Sequence, residues 1–206
     1  MDEGSISSVL EWGYEKAING IPGSESVEEL ANYYLSGSGS IDDKVNSLIK
    51  WQKAKCFTSG FITGLGGVIT LPVSIPANVS SVLYVQIRMI ATIAYMGGYN
   101  VKDDRVKTMV YACLCGDSAK QILKDVGIDI GQKLTVSLIK KIPTEVIKRI
   151  NKIVGFKLVT KFGEKGAINI VKAVPFIGGA IGGGIDYMSA STVGSTAKKV
   201  FINNTL

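Results

Sequence analysis

Apolar residues recur at spacings of three and four along most of the chain, which predicts α-helices. Valine and isoleucine do not alternate at the spacing of two that is typical of a strand. The segments predicted as helices are 5–18, 27–35, 41–55, 77–95, 103–116, 117–127, 133–142, 144–154, 156–162 and 167–174. We therefore predict an all-α, single-domain multi-helix bundle with two Gly-rich apolar central segments.

The first Gly-rich segment lies within residues 56–87, which carry no charged side chain. This length exceeds the roughly 20 apolar residues that span a bilayer. However, Pro72 and Pro76 lack the amide hydrogen needed inside a helix, and four glycines crowd the first half. Two buried half-length segments or a re-entrant hairpin fit better than a simple span. We favour a soluble or peripheral core over membrane insertion.

The second Gly-rich segment covers residues 176–190, where glycines repeat at a spacing of four, as they do in the first segment. Such a repeat offers a smooth helical face for close backbone approach, so we expect the two segments to pack together. Asp186 shares the glycine face, where an unpaired charge would be costly. We expect Arg88 or a lysine to be its partner.

Polar residues interrupt the two apolar stripes of the predicted helix 77–95. Gln86 lies on one stripe, and a buried amide needs a hydrogen-bond partner, so Gln86 is either a structural cross-link or a ligand contact. Tyr84 and Arg88 lie on the opposite stripe. Together with Asp186, these three residues are the predicted ligand-binding set.

Charge is distributed unevenly along the chain. Residues 1–50 contain three basic and nine acidic side chains, whereas residues 51–206 contain twenty basic and eight acidic ones. We therefore divide the chain into an acidic N-terminal helical extension, 1–40, and a helical domain, 41–206. Charged residues make up only 19% of the chain, against about 25% in average soluble domains, which indicates much buried or lipid-facing surface.

Basic residues are concentrated in the segment 133–172, which has ten lysines or arginines and two glutamates. This segment could bind an anionic membrane, or it could simply be a solvated face. Its aromatic residues are Phe156 and Phe162, too few to stack on bases, which argues against a nucleic-acid partner. The predicted membrane-binding residues are Lys140, Lys141, Lys148, Arg149 and Lys152.

Residues for conventional catalysis are scarce. The chain has no histidine, which removes the commonest general base and a frequent metal ligand. Cys113 and Cys115 have the wrong spacing for a zinc or redox pair and are interpreted as core residues. Residues 60–67 lack the Gly-Lys-Ser/Thr that completes a phosphate loop. We predict a protein that is not an enzyme and holds no cofactor and no metal.

The cysteine count and the N-terminal sequence bear on location. Three cysteines give an odd number without framework spacing, and the first residues lack the basic and apolar regions of a secretory signal. We expect a reduced, cytoplasmic protein that associates peripherally with the inner face of the membrane.

Several separated motifs resemble the EcsC family and occur in its order along about residues 45–203. They are 59–76, 84–90, 97–100, 104–108, 161–166, and 174–179 with Asp186. The chain departs from the expected pattern at Asn100, where the family has Asp after Gly-Gly-Tyr, so a role that needs a carboxylate there is in doubt. The family is named after a protein encoded beside a bacterial ABC transporter, so the resemblance implies a link to membrane transport.

Two functions follow as expectations. The first is a non-enzymatic protein that binds a membrane surface or a lipid-like apolar ligand through its Gly-rich segments and basic helices. The alternative is a soluble cytoplasmic interaction or regulatory module, with a protein partner and no membrane contact.

Overall fold

A computed structural model describes residues 2–55, 77–128, 134–162 and 181–203, and for residues 55, 77, 78 and 181–189 it describes the backbone alone. The helices in these residues are α1 (Glu3–Asn19), α2 (Val27–Leu35), α3 (Ile41–Lys55), α4 (Ala77–Met96), α5 (Asp104–Leu114), α6 (Ser118–Asp125), α7 (Val136–Lys140), α8 (Thr144–Phe162) and α9 (Ile181–Phe201).

The predicted all-α, single-domain bundle is confirmed, since the described residues contain helices and no strand. The nearest feature to a strand is an isolated bridge between Ile21 and Ser24, in the turn before α2. Most of the first Gly-rich segment and the first part of the second lie outside the described residues. The predicted packing of the two segments on each other therefore also lies outside them.

Helix α4 is the central element of the bundle. It contacts α1, α2, α3, α5 and α9. Both of its predicted stripes are buried, because neighbouring helices cover it on all sides. One 18-residue window, Val79–Met96, is long and apolar enough to cross a membrane, and 89% of it is buried inside the protein. A buried core helix has the same properties, so this window is weak evidence for a span.

Helix α1 packs against α4 and belongs to the same core. Ile6, Val9 and Ala17 are fully buried there. The Tyr14 hydroxyl donates a hydrogen bond to the carbonyl of Val101, 2.8 Å away. The predicted acidic extension, 1–40, therefore shares its core with the later helices.

Side-chain caps form at the starts of several helices. In α2, Ser26 and Glu29 form a reciprocal capping box, in which each side chain accepts a hydrogen bond from the backbone amide of the other. Ser40 accepts the amide of Asp43 at the start of α3, and Asp103 accepts the amide of Arg105 at the start of α5. These local bonds explain why the starts could be predicted from sequence.

The predicted end of the helix that begins at residue 144 was wrong. The prediction ends this helix at Gly155, but α8 continues to Phe162. A glycine inside a helix costs about 1 kcal/mol, and the apolar stripe continues through it, with Val154 and Leu158 buried. Helix α9 extends to Phe201, beyond the Gly-rich segment 176–190, and Val200 and Phe201 are buried in the core.

Candidate functional site

Three of the four predicted ligand-binding residues lie on the buried helix α4. Tyr84, Gln86 and Arg88 are each at most 1% exposed. Tyr84 and Arg88 are four residues apart, so they share one side of the helix, which faces the turn before α2. Gln86 is two residues from each and lies on another side. The structure thus brings Tyr84 and Arg88 together and separates Gln86 from them.

Arg88 forms a buried ion pair with Glu25, a residue of that turn. Its Nη2 atom is 2.7 Å from Glu25 Oε2, and its Nε atom donates to the Glu25 carbonyl at 3.0 Å. The carboxylate is half exposed whereas the guanidinium is almost fully buried. Nη1 has no hydrogen-bond partner among the described residues. The pair therefore fastens the turn to the central helix.

Tyr84 lies beside this pair, with its ring 6.1 Å from that of Trp12. Burial raises the pKa of Tyr84, while the Ser24 side chain and Arg88 act in the opposite direction. The phenol is therefore neutral at physiological pH. Its surroundings are those of a packed core residue that contacts the 24–25 turn.

Asp186 belongs to α9, and its side chain lies outside the described residues, so its predicted pairing with Arg88 or a lysine stays a prediction. The carboxylate that pairs with Arg88 among the described residues is Glu25, which is not among the predicted site residues. Glu25 directly precedes the cap residue Ser26 in an acidic segment. That position predicts an exposed loop carboxylate, and no sequence signal relates it to residue 88.

The second candidate site is a set of cations on α7, on the residue that follows it and on α8, which we call the basic face. All of its residues are exposed, and among the described residues none lies within ion-pair distance of a carboxylate. The basic face consists of Lys140, Lys141, Lys148, Arg149 and Lys152. Ile150 and Val154 are buried on the opposite side of α8.

Apolar groups accompany the basic face. Phe156, one turn after Lys152, is 61% exposed, and Leu138 on α7 is 36% exposed. A cavity of about 350 Å³ lies beside α7. Its walls are mostly apolar, including Leu138 and Ile142, and Lys141 is the cation among its lining residues. The basic face thus borders exposed and recessed apolar surface.

The two cysteines within the described residues are packed, and Cys56 lies outside those residues. Cys113 is buried and Cys115 is partly buried. Burial raises the pKa of the Cys115 thiol to about 11, although Lys161 and Lys157 lower it. Such a thiol is protonated at neutral pH and is a weak nucleophile. Among the residues whose side chains are described, no three His, Cys, Asp or Glu residues are grouped to hold a metal ion.

Asn100, where the resemblance leads one to expect Asp, shapes the turn after α4. Its Oδ1 atom accepts the amide of Lys102 at 3.0 Å, and its carbonyl accepts the amide of Asp103. An amide oxygen thus performs the local bonding that a carboxylate oxygen could also provide. In this chain the position serves the turn that leads into α5.

The fold defines an all-α bundle around one buried central helix. The chain belongs to the EcsC protein family, whose model matches residues 6–202 of the 206. The match begins at residue 6, so the first 45 residues, which the sequence analysis left outside the resemblance, are largely part of it. No curated protein and no solved structure is similar enough to the chain to count as a match.

Proposed function

We propose that this protein is a non-enzymatic helical protein that associates peripherally with an anionic membrane on its cytoplasmic side, through the basic face. The observation that carries the proposal is a group of five exposed cations with no carboxylate partner among the described residues. A basic residue near an anionic lipid surface contributes about 1 kcal/mol of binding free energy. Five such residues on adjoining segments suffice for reversible association.

The apolar groups beside the basic face support a lipid surface over other polyanions. Phe156 follows Lys152 by four residues, so the ring and the ammonium group lie on the same side of α8. An aromatic ring among cations is typical of an interfacial helix, which buries its apolar side chains at the boundary between headgroups and acyl chains. The cavity beside Lys141 could accept part of an acyl chain once the headgroup is bound.

The test is sedimentation with vesicles that contain phosphatidylglycerol, compared with vesicles of phosphatidylcholine alone. We expect binding to the anionic vesicles at about 0.05 M NaCl and much less at about 0.5 M, because salt screens exposed charges. The triple variant Lys148→Gln, Arg149→Gln, Lys152→Gln should bind roughly 100-fold more weakly, from three contributions of about 1 kcal/mol each.

A matched control changes the net charge by the same amount elsewhere. Lys50, Lys102 and Lys120 are exposed, lie in other elements and form no described ion pair. Their triple change to Gln should leave binding within about threefold of the wild type, since nonspecific charge acts weakly at a distance. Equal losses in both triple variants, or a wild-type protein that stays in the supernatant at low salt, would contradict the proposal and favour the soluble interaction module.

Phe156 separates membrane insertion from simple charge attraction. The variant Phe156→Ser should lose roughly tenfold in affinity even at high salt, because burial of a Phe side chain contributes about 1.5–3 kcal/mol. An unchanged affinity would show that the ring stays in water. The Phe156→Ser variant should be about as stable as the wild type, since the Phe156 side chain is already 61% exposed.

A further inference from the structure

A second cavity lies between α2 and α3, far along the chain from the basic face, and we call it the α2–α3 cavity. Its volume is about 620 Å³, within the range of about 300–1,000 Å³ that is usual for small-molecule sites. Residues of α2, of α3 and of the turn between them line it, and Glu25 lies at one edge. It is thus formed by helices from the acidic part of the chain.

Gln52 is a buried residue on the wall of this cavity. Its side chain is 1% exposed, and neither Nε2 nor Oε1 has a hydrogen-bond partner among the described residues. Buried polar atoms are almost always paired, so an amide with both atoms unpaired calls for an explanation. A ligand that presents an acceptor and a donor side by side would satisfy both atoms at once.

Aromatic rings line the same cavity. Tyr33 and Trp51 are 73% and 60% exposed, which is unusual for residues of their size. The rings of Tyr33 and Tyr34 are 5.3 Å apart and nearly perpendicular, so they present an edge and a face rather than a closed stack. These rings offer flat apolar surfaces on which a planar ligand could stack.

The charged groups of the cavity are already engaged. Lys44 is the cation among the described lining residues, and its ammonium group donates to the Leu35 carbonyl at 2.8 Å. The Asp43 carboxylate accepts the Ser40 hydroxyl at 2.6 Å, and Glu25 pairs with Arg88. The charged side chains of the described lining are thus two carboxylates against one ammonium group, and this composition favours an uncharged ligand over a phosphate.

We propose that the α2–α3 cavity binds an uncharged purine with an adjacent amine donor and ring-nitrogen acceptor, such as adenine or adenosine. A glutamine amide matches that edge bidentately, with Oε1 accepting from the N6 amine and Nε2 donating to N7. The base stacks on Trp51 or Tyr33 while Gln52 reads its edge. This site is independent of the basic face and of membrane binding.

The test is a titration of the full-length protein with adenosine, by calorimetry and by tryptophan fluorescence. We expect saturable binding that changes the Trp51 signal, and a Trp51→Phe variant assigns that signal because Trp12 is the other tryptophan. AMP should bind about tenfold more weakly than adenosine, since the lining offers two carboxylates against one ammonium group to its phosphate. Absence of saturable adenosine binding up to about 1 mM would overturn the proposal.

Two variants test the residues. Gln52→Leu should weaken adenosine binding about tenfold or more, while its unfolding midpoint stays equal or rises, because an unpaired buried amide is removed. A Gln52→Leu protein that binds adenosine normally, or one that is clearly destabilised, overturns the role given to this amide. Tyr33→Ala, at an exposed position, should fold normally and bind adenosine at least about fivefold more weakly. Phe156→Ala is the matched control and should bind adenosine as the wild type does.

Discussion

The guanidinium of Arg88, almost fully buried on the central helix, lies 2.7 Å from the carboxylate of Glu25, which is 59% exposed. The two residues are 63 positions apart in the chain. Their pairing holds the turn before α2 against α4 and neutralises a charge that the core could not otherwise accommodate. Because one partner is buried and the other is exposed, substitutions of the two residues should change the free energy of unfolding by different amounts.

Replacing Glu25 by Gln should lower the free energy of unfolding by about 1–2 kcal/mol. The loss is smaller than the roughly 3–5 kcal/mol for a fully buried pair, because the Arg88 Nε atom keeps its hydrogen bond to the backbone carbonyl of residue 25. Urea unfolding monitored by circular dichroism measures it. Adding Arg88→Met to this variant should recover part of the loss, since the uncompensated charge is removed. Glu15→Gln, which breaks the exposed pair with Lys16, should cost less than about 0.5 kcal/mol.

Two glycines should respond to alanine with opposite signs. A Cβ atom on Gly97 would collide with the backbone carbonyl oxygen of Phe201 at the end of α9. Gly97→Ala should therefore destabilise the protein by about 2 kcal/mol or more, because two backbone segments must separate.

A Cβ on Gly155, inside α8, meets nothing within 4 Å. Gly155→Ala should stabilise the protein by up to about 1 kcal/mol, through the higher helix propensity of alanine. Thermal unfolding of both variants checks the signs, and a stable Gly97→Ala protein would contradict the close approach.

Stability should fall as the pH rises above about 9. Burial raises the pKa of Cys115 from 9.0 to about 11, and burial also raises the pKa of Cys113 and Tyr111 above their ordinary values. The unfolded chain therefore loses these protons at a lower pH than the folded protein, so unfolding releases protons and alkaline pH favours it. The contribution is fully present below pH 9 and is lost towards pH 11.

The measurement is urea unfolding at pH 7, 8, 9, 10 and 11. The decline in the free energy of unfolding between pH 9 and 10 should be shallower in Cys115→Ala. Cys113 should account for much of the decline that remains in that variant. In Tyr111→Phe the decline above pH 10 should be shallower, although the hydrogen bond from its hydroxyl to the Leu10 carbonyl is also lost. Identical slopes in the wild type and both variants would refute this explanation.

The periodicity of the sequence predicted the helices well where the chain carries capping residues. Ser26, Ser40 and Asp103 form local hydrogen bonds within three residues of themselves, so neighbouring sequence contains all the information. Gly155 misled the prediction because a glycine also ends many helices. Whether a glycine ends a helix depends on whether the residues after it are buried. Packing against helices that are distant in the sequence determines that burial.

The candidate sites also differ in how far they could be predicted from the sequence. The basic face could be predicted because helix periodicity alone turns Lys148, Arg149 and Lys152 away from the buried Ile150. The two stripes of α4 could be separated by spacing, but spacing could not reveal that both are covered. Gln52 lies within the predicted helix 41–55, but the sequence contained no sign that its amide would line a cavity.

The sequence by itself determined the helical class, the position of the central helix and the side of α8 that carries the cations, because these depend on the 3.6-residue period and on bonds between near neighbours. The tertiary structure alone decided that Arg88 pairs with Glu25, that Phe201 closes on Gly97 and that Gln52 borders the α2–α3 cavity. Each of these contacts joins segments far apart in the chain. Periodicity indicates which side of a helix is buried, but only the packing of the whole bundle selects the neighbour that covers it.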